Sequence, residues 1–344
     1  MTWRLTLAAS AALLGCTAAP ATTQRYELEP VPRVEVELEG EVVQSWADRP
    51  ALATAPTAQA LESKPRVTRQ QRREQLDLKS RTTPGWALHE SAHYFILTCV
   101  QDAKFIEELK QRSESIRRAI QRNFPHPDLD PVPIHTAPSV IRMLKDDDQF
   151  TSYGGPAGSS GFWSSLLGEI VLYDDLKGGG RRNTWATLSG MVFFEYLSSI
   201  SGGAEAAPWF LYGHSDYYSG FRFVDGKHQP APFDWRKGLA KSNVETSQIV
   251  PLEEFVRFTH VQYLSARPPS TDVGSHYAQG WSFIWFLREG QTSKLWNPAW
   301  DKILGTWWSA WRETGDANAA TDRAFAGVDW AELQAAWEAF TLEL

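Results

Sequence analysis

His89-Glu90-Ser91-Ala92-His93-Tyr94-Phe95-Ile96-Leu97-Thr98-Cys99-Val100 is the stretch whose reading decides the fold. Its first five residues match H-E-x-x-H. That zinc signature needs a helix, where histidines four apart share one face and the glutamate stands beside the metal as general base. The last seven residues are β-rich, and Pro84 and Gly85 stand just before the motif. In a strand, His89 and Glu90 face opposite sides. Glu107, Glu108 and Glu114 sit on the next helix, whose apolar stripe already explains it, and supply no third-ligand motif. A strand over 94–100 is expected. The competing reading is an active zinc metallopeptidase using His89 and His93 as ligands and Glu90 as base.

Working outward, Phe105, Ile106, Leu109, Ile116 and Ile120 mark the buried stripe of a helix over 103–124. A second strand is expected at 132–134 and a short helix at 140–144. A glycine-rich loop over 153–161 leads into two antiparallel strands, the second at Glu169-Ile170-Val171-Leu172-Tyr173. Neither that loop nor Gly178-Gly179-Gly180 ends in the Gly-Lys-Ser/Thr of a phosphate cradle, which argues against nucleotide binding. The rest reads as helical: 184–200, capped by Asn183 or Thr184, then 212–220, 251–264, 275–290, 299–312 and 329–342. Nine of the sixteen tryptophans follow residue 280. The four-residue spacings Trp281/Trp285, Trp296/Trp300 and Trp307/Trp311 indicate helical core, with Trp308 off the stripe.

Several of these stretches resemble the peptidase-MA-like branch of the gluzincin metalloproteases, over residues 92–344. The resemblance rests on His93-Tyr94-Phe95-Ile96-Leu97-Thr98 with its following helix, on 158–163 with 169–173, and on Pro208-Trp209-Phe210-Leu211-Tyr212-Gly213-His214-Ser215-Asp216-Tyr217-Tyr218. It continues through Tyr277-Ala278-Gln279-Gly280-Trp281-Ser282-Phe283 and Ala324-Phe325-Ala326-Gly327-Val328-Asp329-Trp330. Active members carry H-E-x-x-H on the helix matching 190–194 and a glutamate ligand in the turn matching 209–213. By that resemblance the first histidine falls on Gly190, the base on Met191, the second histidine on Phe194 and the glutamate on Tyr212. None of these side chains suits Zn²⁺, and methionine cannot act as a base. The resemblance therefore implies a retired metallopeptidase without a cofactor. Its former cleft is expected beside Phe162, Trp163, Tyr173, His214 and Asp216. His214 is expected at the surface or hydrogen-bonded.

Residues 1–15 read as an export signal, with Arg4 at the positive end and an apolar stretch too short to span a bilayer. Leu13-Leu14-Gly15-Cys16 resembles the bacterial lipoprotein cleavage box, which implies lipidation at Cys16; Thr17, by the same resemblance, points to the outer membrane. Cys99 would then be the one remaining thiol, read as buried in its strand. Loss of Arg4 would take the formal charge from −7 to −8, which argues against nucleic acid.

Residues 16–85 read as a lipidated tether and poorly ordered extension. It holds a short strand or hairpin over 33–43 and a basic run at 69–73, taken as a solvated helix face or a flexible tether. Residues 86–344 form the peptidase-MA-like domain: sheet and active-site-type helix over 86–200, helical part over 201–344.

The expectation is an α+β, gluzincin-like fold with a small mixed sheet and a mainly helical C-terminal part. Its expected job is binding a peptide or protein partner at the cell envelope. A cell-wall or glycan binder using exposed aromatics is the third reading.

Overall fold

The computed structural model describes residues 68–125, 139–156, 158–165, 167–177, 180–201, 203–266, 269 and 272–344. The export signal, Cys16, the hairpin over 33–43 and the strand at 132–134 lie outside the described residues. In chain order the elements are α1 (Arg69–Thr82), β1 (Ala87–Glu90), β2 (Tyr94–Thr98), α2 (Ala103–Asn123), β3 (Ser139–Leu144), α3 (Asp147–Ser152), β4 (Gly161–Ser164), β5 (Glu169–Tyr173), α4 (Arg181–Ile200), α5 (Pro208–Ser219), β6 (Arg222–Val224) and β7 (Lys227–Gln229). Then follow α6 (Asp234–Glu245), α7 (Leu252–Phe255), α8 (His260–Tyr263), α9 (Val273–Glu289), α10 (Ile303–Thr314), α11 (Ala317–Ala324) and α12 (Trp330–Glu343). This is an α+β fold with a small mixed sheet and a helical C-terminal part.

The sheet order is β1-β2-β3-β5-β4. Its centre is parallel and both edge strands are antiparallel to their neighbours. Alternation gives each strand two faces. Ile96, Ile141, Met143, Ile170 and Leu172 pack in one cluster with Phe105, Ile106 and Leu109 of α2 and with Leu188 and Val192 of α4. Each such side chain, fully buried, contributes roughly 1.5–3 kcal/mol. Asp102 starts α2 by accepting from the Phe105 N–H, and the expected apolar stripe is buried throughout.

The opposite sheet face carries Phe95, Leu97 and Val140 under Leu76 of α1. Beside them the Arg142 guanidinium grips Glu169 through two bonds of 2.7 and 2.8 Å. The basic run is thus part of a capped helix. Thr68 and Gln71 form a capping box, and Arg69, Arg72 and Arg73 reach Glu90 and Glu169. Helix α1 therefore lies inside the stretch read as an extension.

Residues 140–144, expected as a short helix, form β3. Ile141 and Met143 face α2 and α4 while Val140, Arg142 and Leu144 face the other way, a period of two. The helix expected over 251–264 is two short ones, each restarted by its own N-terminal residue, Pro251 and Thr259. Helix α4 begins at Arg181 after Gly180 (φ 63°) without a side-chain cap. Thr184 instead ties the helix to β5: its hydroxyl accepts from the Asp175 N–H and donates to the Tyr173 carbonyl. Cys99 lies just past β2, half-buried, with its thiol on Gln149. Among the described residues no helix is long and apolar enough to cross a membrane.

One buried polar knot joins four elements. Glu195 of α4 accepts from Arg117 (2.8 Å), Tyr94 (3.2 Å) and Ser139 (2.6 Å). Both charges of the pair are nearly inaccessible, so neither can be removed without stranding the other.

Candidate functional site

The H-E-x-x-H letters fold as a hairpin. His89 and Glu90 belong to β1, and Ser91 N–H donates to the Tyr94 carbonyl across the turn that holds His93. The helical face on which two such histidines would share a metal is absent. Glu90 is bound by Arg69 (3.2 Å) and Arg73 (2.7 Å). His93 is held by a residue expected to be uninvolved: Glu114 accepts from its backbone N–H at 2.7 Å and from Nδ1 at 2.6 Å, and from the Ser91 hydroxyl at 2.6 Å. Burial alone would raise the Glu114 pKa, but the His93 and Ser91 hydrogen bonds outweigh it and hold it at about 2. Burial and the nearby Lys110 lower that of His89. An open depression of ≈ 310 Å³ adjoins this place, lined by Lys110, Gln111, Glu114, Arg118 and Gly226.

The four positions assigned by the resemblance lie elsewhere, three on α4 and Tyr212 on α5, and these two helices pack together. Gly190 is buried so tightly that a Cβ there would stand 2.7 Å from Ser215 Oγ and 2.8 Å from Ser219 Oγ. One turn on, the Phe194 ring meets Tyr212 of α5 at 5.8 Å between centroids. Thr187, Met191 and Phe194 form a half-buried strip along α4, at i, i+4 and i+7. Tyr212 is enclosed by aromatic neighbours, stacking on Tyr263 at 4.9 Å and meeting Tyr277 edge-on at 5.4 Å. Its hydroxyl lies 3.2 Å from His260 Nδ1, whose Nε2 contacts the Ala206 carbonyl at 3.1 Å. Burial pushes the Tyr212 phenol far up, so it stays protonated and serves as a donor. Glycine, thioether, phenyl and neutral phenol are not a zinc donor set, and no hydrolytic step can be derived through a metal here. Among the described residues no group of three or more His, Cys, Asp or Glu side chains is arranged to hold a metal ion.

The five residues expected to line a cleft are not brought together. Trp163 of β4 points to the α4 side of the sheet; Phe162 and Tyr173 point to the other, packed with Phe150. His214 is wholly buried. Its Nδ1–H donates to the Phe210 carbonyl and its Nε2 accepts from Arg288 at 3.1 and 2.9 Å. Burial, reinforced by Arg288, lowers its pKa well below 6.5 and keeps it neutral. Asp216 is also buried, paired with Arg236 at 2.6 Å. What the sheet does offer is edge strand β4 beside α4: a Cβ on Gly161 would touch the Thr187 methyl at 2.7 Å.

The tryptophans are mostly core. Trp281, Trp307, Trp311 and Trp337 are fully buried, and Trp308 is half-buried against Phe124 and Trp311. Trp235, 48 % exposed, is the exposed one among the described tryptophans. No family model matches this sequence, and no curated protein matches it either.

Proposed function

We propose that this chain is a peptide-docking protein on a gluzincin-like frame that does not cleave its ligand, held to the cell envelope by a lipid on Cys16. The reading is carried by what fills the crossing of α4 and α5. Of the positions assigned to metal ligands by resemblance, 190 carries a glycine at a close approach to Ser215 and Ser219, and 194 and 212 carry two rings in contact between the helices. Vacated imidazoles and a carboxylate without their cation would cost several kcal/mol to bury, roughly the unpaired-charge penalty. Aromatic packing turns that cost into stabilisation. Thr187, at the head of the half-buried strip, borders the edge strand β4, and an edge strand is where an extended peptide adds to a sheet. Glycine stretches without a Gly-Lys-Ser/Thr ending and an acidic chain agree with a partner that is neither nucleotide nor nucleic acid.

The test is elemental and peptidase analysis of the full chain isolated from membranes. We expect no stoichiometric zinc, no peptide cleavage, and release of Cys16→Ala into the soluble fraction. One zinc per chain, lost on His93→Ala, would overturn the non-hydrolytic reading in favour of the hairpin motif. Cys16→Ala protein that stays with the membrane would overturn the lipid anchor.

A further inference from the structure

Two backbone hydrogen bonds fix the direction in which β5 points its peptide groups. Val140 N–H donates to the Gly168 carbonyl, and Asp174 N–H donates to the Leu144 carbonyl. Even-numbered residues of this strand therefore turn towards β3. By strand alternation Glu169 and Val171 turn towards β4, where they oppose Ser164 and Phe162. Gly161 and Trp163, opposite Leu172 and Ile170, must then present both N–H and C=O outward, at the open edge of the sheet.

The two residues differ in what meets them there. The Ser159 hydroxyl donates to the Gly161 carbonyl at 2.7 Å and accepts from the Gly161 N–H at 3.3 Å. One side-chain oxygen thus supplies the acceptor and the donor that a neighbouring strand would supply. For the Trp163 backbone, two residues on, no side-chain partner of this kind is found among the described residues, and β4 is the last strand in the sheet order. The edge is half closed.

We propose that Ser159 is an internal plug of the β4 edge, occupying the pairing groups of Gly161, and that an extended peptide segment engages the whole edge only when this hydroxyl swings aside. The inference rests on the docking reading above and adds its control. The occupant is an extended polypeptide backbone, because outward N–H and C=O groups repeating every second residue, about 6.8 Å apart, match another strand. Directly opposed residues share a face, so the occupant's residue opposite Trp163 sits over the α4 side, towards Thr187 and Met191. An apolar side chain fits there.

The probe is a labelled, end-blocked pentapeptide of alternating threonine and valine, with a copy N-methylated at every second residue so that it cannot pair. Binding to the full chain is read by fluorescence anisotropy, and the Gly161 amide by hydrogen exchange. Ser159→Ala should bind the plain peptide about fivefold more tightly, the order of one hydrogen bond. Its Gly161 amide should exchange faster. Ser159→Thr, which keeps the hydroxyl, should behave as the unmodified chain and separates the plug from any general loosening. Equal affinities for the unmodified chain and Ser159→Ala, with the methylated copy still rejected, would overturn the plug and leave docking intact. Absence of binding to both proteins, or equal binding of the methylated copy, would overturn edge docking itself.

Discussion

The β1–β2 hairpin holds the letters of a metal motif without the helix they need, whereas the α4–α5 crossing, to which the resemblance assigns that motif, is helical and carries none of its letters. In the hairpin every charged group of the motif has a local partner: Glu90 has two arginines and His93 has Glu114. At the crossing the corresponding positions are filled by packing, and Glu195, next in sequence to Phe194, is turned inward to Arg117. The comparison teaches that backbone context decides whether spacing means chemistry. Four residues apart on a helix is one face; in a strand and its turn it is not.

The contrast is broken most forcefully through the two glutamates. Glu195→Ala strands the buried Arg117 charge and is expected to lower the unfolding free energy by about 3–5 kcal/mol. Glu90→Ala, losing partly exposed pairs, should cost under about 1 kcal/mol. Urea titration measures both; equal costs would mean the hairpin is as structural as the crossing. Next in size, Gly190→His restores the first letter of the motif at its family position. The missing space beside Ser215 and Ser219 makes it destabilising by about 2 kcal/mol, read as a lower melting temperature. A neutral outcome would show that the two helices part easily.

The last contrast is a pH dependence, which has the same sign in both regions and differs only in its window. His214 has its folded pKa depressed below 6.5, so the unfolded chain takes up its proton first and stability falls as pH drops below 6.5. Glu114, at about 2 against an ordinary 4.5, contributes stability that is present above 4.5 and lost as pH falls towards 2. Urea midpoints measured through the acid range should fall in two limbs. Glu114→Gln should flatten the lower one and His214→Gln the upper. A single limb removed by neither substitution would detach both groups from acid stability.

How legible all this was in the sequence depends on the range of the interactions. The stripe of α2 and the strand Glu169–Tyr173 follow from local period and hold. Val140-Ile141-Arg142-Met143-Leu144 could not be resolved locally, because five residues fit either period. What makes it a strand is Glu169, distant in sequence, which holds Arg142 on the outer face. Helix α1 has one buried apolar residue, Leu76, so no periodicity announces it, although its Thr68–Gln71 capping box was readable. The hairpin of β6 and β7 carried a usable signal too: Asp225-Gly226, both with positive φ, is the pair that a tight two-residue turn prefers. For the site, sequence could nominate positions 190, 194 and 212, but not that His260 would sit against Tyr212. The burial of His214 and Glu114's grip on His93 are likewise tertiary facts.

Helix α1 has a practical consequence for anyone trimming this molecule. Cutting at Trp86, where the domain looks to begin, would bare Phe95, Leu97 and Val140 to water, strip Glu90 of Arg69 and Arg73, and leave Glu169 with Arg142 alone. A greasy flat surface of that kind recruits its own copies, so the shortened product should precipitate at concentrations the longer one tolerates. A cut that spares α1 and its Thr68 cap keeps that cover in place.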